Sequence, residues 1–126
     1  MDAKALIEAA TKARGNAYAP YSGYQVGAAA LGGSGRIYSG CNVENTSYGL
    51  TVCAERVAIL KAISEGEKEV AALAVATENG APPCGACRQV LFEFGPTARI
   101  LLSGADGTLK ELTVGGLLPD AFTLKK

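Results

Sequence analysis

The sequence predicts an α/β protein, a three-layer α/β/α sandwich around one mixed, mainly five-stranded sheet. Three observations carry the prediction. Helical and extended patterns alternate in the order α, β, β, α, β, α, β, β, which places helices on both faces of one sheet. One strand-length run, "VAALAVAT" at residues 70–77, is apolar throughout, as a strand covered on both faces is. The chain has 126 residues, 48% of them hydrophobic, and suits a single domain, 1–126, burying roughly two-thirds of its extended surface.

The elements follow in order. Residues 2–14 set Ala5, Leu6, Ala9, Ala10 and Ala13 on one stripe with charges opposite, an amphipathic helix stopped by Gly15 and Asn16. "YAPYSGY" is turn-rich. "YQVGAAAL" and "RIYSGCNV", joined by "GGSG", read as a β-hairpin. A second helix is expected from Thr51, as its cap, to about Glu65 before Gly66. Its apolar residues cover most of the circumference, so it is expected to be buried on several sides. After the 70–77 strand and a proline loop, a third helix runs from about Cys84 to Phe94. "RILLS" and "LKELTV" then form strands around a "GADG" turn, and "GGLLPDAF" is a short helical or turn segment.

Composition narrows the function. Twelve cationic and twelve acidic side chains give a formal charge of zero and are spread along the chain, unlike the clustered Lys and Arg of nucleic-acid binding. The first 15 residues carry charges at intervals rather than the apolar core of an export signal, and residues 15–35, though uncharged, are rich in Gly, Ser, Tyr and Asn rather than long aliphatics. No membrane span is expected. A cytoplasmic location follows, where Cys41, Cys53, Cys84 and Cys87 are thiols or metal ligands rather than structural bridges.

The chemistry lies in "TVCAERVA", residues 51–58, and "PPCGACRQV", residues 82–90. A lone Cys-x-x-Cys leaves redox and metal use equally open. Both segments, however, put cysteine at a helix start, where unpaired N–H groups and the helix dipole favour the thiolate. Cys84 and Cys87 share a helix face, and Cys53 would make three protein ligands with one open position for water, the arrangement of a catalytic zinc. Glu55, two residues beyond Cys53, is suited to proton exchange rather than ligation. Arg56 is a counterweight to the thiolate charge and a donor to cysteine sulfur. Cys41, in a predicted strand, reads as a buried thiol without metal.

"CAER" followed about thirty residues later by "PCGACRQ" resembles the zinc-dependent cytidine deaminases, specifically the short-chain homotetrameric type with three cysteines. The absence of histidine is consistent with that type. "PYSGYQVGAA", "GCNVENTSYGLTVCAER" and "LLPDAF" extend the resemblance from about residue 18 to 122. It implies one zinc per chain on Cys53, Cys84 and Cys87, with Glu55 as proton shuttle. It also implies Asn42 and Glu44 on the ribose and the Ala54 amide on the pyrimidine edge. Tyr24 stands where the family usually has Phe beside the ligand. Phe122 would stack on the base in a neighbouring subunit's site, and Tyr48 would lie at a subunit boundary near the same substrate pocket. The implied reaction is hydrolysis of cytidine and 2'-deoxycytidine to uridine and 2'-deoxyuridine with release of ammonia, in pyrimidine salvage.

Three rival readings remain at this point. One is a blasticidin-S-type nucleoside deaminase, against which "PYSGYQVGAA" and "LLPDAF" favour cytidine. Another is a non-catalytic zinc-stabilised module with Cys41 as fourth ligand. The third, a thiol oxidoreductase, explains neither Cys53 nor Glu55.

Overall fold

A computed structural model describes residues 1–124. Its order is α1 (Ala3–Arg14), β1 (Gly27–Gly32), β2 (Ile37–Cys41), a 3-10 turn (Tyr48–Leu50), α2 (Ala54–Ser64), β3 (Val70–Thr77), α3 (Gly85–Phe94), β4 (Arg99–Gly104), β5 (Leu109–Thr113) and α4 (Val114–Leu117). The five strands form one sheet in the order β2-β1-β3-β4-β5. Only β3 and β4 pair in parallel, joined through α3, while β1–β2 and β4–β5 are antiparallel hairpins. The mixed sheet expected from the alternating patterns is therefore present.

Strand alternation divides the core into two. Ala28, Ala30, Leu73, Val75, Ile100 and Leu102 face the layer that contains Ala58 and Ile59 of α2 and Leu91 of α3. Ala29, Ala72, Ala74, Ala76 and Leu101 face Leu6 and Ala10 of α1. The apolar run in β3 is thus central and covered on both sides, with large side chains toward α2 and α3 and alanines toward α1.

Those alanines let α1 lie close to the sheet, and Gly27 sets the distance. A Cβ there would stand 2.0 Å from the Ala10 carbonyl oxygen and 2.4 Å from the Arg14 nitrogen. Gly27→Ala is expected to destabilise the fold by about 3 kcal/mol, because helix backbone cannot yield as a side chain can. Urea unfolding measures this, and a change below about 0.5 kcal/mol would refute the close packing.

The structure moves several boundaries. The α2 helix begins at Ala54, with Cys53 rather than Thr51 as its N-cap. An isolated antiparallel bridge of Val43 with Val52 keeps the chain extended up to that point. The same helix buries one side only: Ala54, Glu55, Ala58, Ile59 and Ala62 are buried, while Leu60 is 48% exposed. The sheet and α3 cover its inner side, and among the described residues no further layer covers its outer apolar residues. Residues 24–26 do not extend β1, because the Asn42 side chain takes the Val26 N–H and the Tyr24 carbonyl. Val114 leaves β5 and opens α4, capped by the Thr113 hydroxyl.

Candidate active site

The site begins where two helices start side by side. Cys53 and Cys84 are the N-caps of α2 and α3, both with extended backbone and neither offering a side-chain cap. Pro83 follows Pro82 and precedes Cys84, and proline disfavours helix in the residue before it, so α3 starts after the prolines. Cys87 lies one turn into α3 and is buried, whereas Cys84 is exposed.

These turns bring three sulfur atoms together. Cys53 Sγ lies 3.9 Å from Cys84 Sγ, and Cys84 Sγ lies 3.5 Å from Cys87 Sγ. All three ligand atoms fall within 4.8 Å of one another. Zinc–sulfur bonds of about 2.3 Å in tetrahedral geometry require sulfur separations of about 3.8 Å, so the spacing and the soft thiolate donors both fit zinc. Cys41 lies outside this group, beside Lys12 and Lys61 in a separate depression. A four-cysteine closed site is therefore absent among the described residues.

Electrostatics around the sulfurs favour a thiolate even without metal. The Cys53 thiol is lowered to about 5, first by a hydrogen bond from Cys87 and then by Arg56. Cys87 is correspondingly held as a thiol by that bond and by burial. Arg56 Nη2 reaches Cys53 Sγ at 3.7 Å and the Thr51 carbonyl at 3.4 Å, while its buried Nε has no hydrogen-bond partner. The guanidinium is half-buried and lies against the Cys53 sulfur rather than in open solvent.

Beside the sulfurs opens a cavity of about 280 Å³, whose lining includes Cys53, Ala54, Glu55 and Cys84 together with Asn42 and Glu44. Glu55 is buried at 5% exposure, and burial raises its carboxyl to about 7. Ala54, fully buried, occupies the first position of α2, where an N–H has no intrahelical acceptor. Tyr24 and Tyr48 also line the cavity, and Tyr48 is 56% exposed, its ring nearly perpendicular to that of Tyr21. Phe122 does not line it and is 67% exposed. Gln89 Nε2 donates to the Phe122 carbonyl oxygen at 2.9 Å, fixing that backbone near α3.

Asn42 and Glu44 also hold the cavity wall. Glu44 Oε1 accepts from the amides of Tyr21 and Ser22 at 2.9 and 3.1 Å, and Oε2 accepts the Ser22 hydroxyl. These donors, the Ser22 hydroxyl foremost, hold the Glu44 carboxyl below its ordinary value, so it is a carboxylate at neutral pH. Ser22, Thr77 and Asn79 also shape this region, with no pattern in the sequence to mark them. Thr77 Oγ1 accepts from the Gly80 and Ala81 amides and shapes the wall above Cys84. Only residue type could have signalled these positions, since their partners are set by tertiary contact.

Residues 1–103 match the family pattern described as the cytidine and deoxycytidylate deaminase zinc-binding region. The chain belongs to this deaminase family. Among its relatives, the cytidine deaminase of Halalkalibacterium halodurans is 52% identical over 126 residues, covering 98% of this chain and 96% of that one. The cytidine deaminase of Mycobacterium tuberculosis is 47% identical over 117 residues, with 91% of this chain and 85% of the relative covered. A crystal structure of cytidine deaminase from Burkholderia pseudomallei superposes with a TM-score of 0.92 at 50% identity, over 97% of this chain and 100% of that chain. A family structure from Bacillus anthracis, at 20% identity and TM-score 0.70, shares the fold alone.

Proposed function

We propose that this chain, as one catalytic domain over 1–126, is a zinc-dependent hydrolase. It converts cytidine and 2'-deoxycytidine to uridine and 2'-deoxyuridine with release of ammonia. The observation that carries the reading is the convergence of Cys53, Cys84 and Cys87, with sulfurs within 4.8 Å, beside the buried Glu55 in one cavity. Cys53, Cys84 and Cys87 would hold one zinc. Bound zinc supplies Lewis acidity that activates water at neutral pH.

The chain's own groups do the rest. Glu55, whose carboxyl sits near 7, changes protonation readily at neutral pH. It takes a proton from the attacking water and gives it to ring N3, then carries the proton of the new C4 hydroxyl to the departing amine, leaving a C4 carbonyl. A C4–O bond thereby replaces the C4–N bond. The Ala54 amide donates to the pyrimidine edge, and the carboxylate of Glu44 and the amide of Asn42 recognise the ribose hydroxyls. Arg56 donates to the Cys53 sulfur and offsets the negative charge of three thiolates on a divalent ion. Tyr24 and Tyr48 form the side walls.

The assembly that suits this pocket is a homotetramer with shared sites, in which Phe122 stacks on the base held by a neighbour. Its support is the exposed apolar set near the pocket and on α2: Tyr21 at 54%, Leu50 at 67%, Leu60 at 48% and Phe122 at 67%. Four free cysteines suit a reducing, cytoplasmic setting, and the reaction returns cytosine nucleosides to the uracil series, a salvage role.

Glu44 also sets substrate charge. A 5'-monophosphate would bring further negative charge close to a buried carboxylate, so its kcat/KM is expected to be at least about tenfold below that of cytidine. Parallel assays on cytidine, 2'-deoxycytidine and cytidine 5'-monophosphate decide this. Equal turnover of nucleoside and monophosphate would overturn the assignment of Glu44 to the ribose.

A further inference from the structure

We propose that Tyr24 is a positioning residue whose hydroxyl, by its bond to Asn79, clamps together the two loops that wall the substrate pocket. The inference rests on the deaminase reading for its substrate but on contacts of its own. The Tyr24 hydroxyl donates to Asn79 Oδ1 at 2.6 Å, across 55 residues of sequence. Tyr24 lines the pocket, and so do Ala81, Pro82 and Cys84, which follow Asn79 in the chain.

The two ends of this tie differ in what holds them. Asn79 stands on a rigid support. Thr77 Oγ1 lies 3.4 Å from Asn79 Oδ1 and accepts the Gly80 and Ala81 amides at 2.7 and 3.2 Å. The turn between β4 and β5 braces the same loop, with the Ala105 and Asp106 amides donating to the carbonyls of Thr77 and Glu78 at 2.9 and 3.2 Å. Gly80 has φ +72, and a Cβ there would stand 2.5 Å from Thr108 Cγ2, so the loop is fixed against that turn.

The segment carrying Tyr24 is held by other contacts. Glu44 takes the amides of Tyr21 and Ser22, and Asn42 takes the Val26 amide and donates to the Tyr24 carbonyl oxygen at 2.8 Å. Asn42 and Glu44 are also the residues assigned to the ribose. The phenol therefore joins the sugar-binding wall to the loop that delivers Cys84. A phenylalanine at position 24 would keep the wall and lose the tie. The bond is at the surface, so its effect falls on how well the two walls are set before substrate arrives rather than on the chemical step.

The test compares wild type, Tyr24→Phe, Asn79→Ala, Asn79→Asp and the Tyr24→Phe/Asn79→Ala double variant, all loaded with zinc. KM and kcat for cytidine are measured, and amide hydrogen exchange is followed across residues 21–26 and 78–83 without substrate. The expected result for Tyr24→Phe is a KM raised about threefold to tenfold, the factor of one hydrogen bond of ordinary net strength, with kcat within about twofold. Exchange should quicken in both segments, and the double variant should lose no more than the worse single one. Asn79→Asp keeps an oxygen acceptor and should stay near wild type. Unchanged exchange in Tyr24→Phe, an unchanged KM, additive losses, or Asn79→Asp behaving like Asn79→Ala would each overturn the clamp. Wild-type protein that releases no ammonia from cytidine would instead sink the functional reading, and the substrate-free exchange would still decide the tie.

Discussion

Glu55→Gln is expected to lower the rate of ammonia release from cytidine by about a thousandfold while leaving bound zinc and fold intact. General acid–base catalysis contributes roughly 10²- to 10⁴-fold, and here one carboxyl performs every proton transfer in the proposed reaction. Gln fills the same volume and keeps a carbonyl and an amide in the pocket, but it cannot take up or deliver a proton. Burial already opposes ionisation at this position, raising the carboxyl to about 7, so a neutral amide is not costly to place there. Steady-state rates, metal analysis and circular dichroism on one preparation separate the possibilities. A variant that holds zinc and retains most of its activity would remove Glu55 from the chemistry.

Cys87→Ser is expected to abolish zinc binding, and activity with it, and to lower stability. Cys87 is 1% exposed and its sulfur is 3.5 Å from that of Cys84, so no surface group can replace it. A serine hydroxyl is a poor substitute for the soft thiolate that zinc selects. Metal bound only by the folded state stabilises it by about 4 kcal/mol when free metal is a thousandfold above its dissociation constant. That increment should vanish in Cys87→Ser, as a lower unfolding midpoint in zinc-containing buffer that chelator no longer changes. Cys41→Ser should keep both metal and midpoint, because Cys41 lies apart from the three sulfurs. Loss of metal and a lowered midpoint in Cys41→Ser as well as in Cys87→Ser would mark a four-cysteine structural site.

Much of this site was legible in the sequence because its chemistry is tied to residue type and its scaffold to pattern. Cys53, Cys84 and Cys87 converge because each opens or enters a helix, and the helices were readable from periodicity and from the prolines at 82 and 83. The central strand was readable from its unbroken apolar run. The start of α2 was misplaced because the Val43–Val52 bridge, a contact between segments, overrides the capping preference of Thr51. The helix is buried on fewer sides than its pattern predicts, because apolar residues around most of a helix do not say whether the covering layer comes from the same chain. Ser22 and Asn79 could not be found, since a serine and an asparagine in turns gain meaning only from Glu44 and Tyr24, 22 and 55 residues away.

Stripping the protein with chelator and titrating zinc back, while following ammonia release from cytidine, tests the proposed active site most directly. Three converging thiols with Glu55 beside them predict no activity in the stripped protein and a linear recovery that saturates at one zinc per chain. Full activity in the metal-free protein would contradict it.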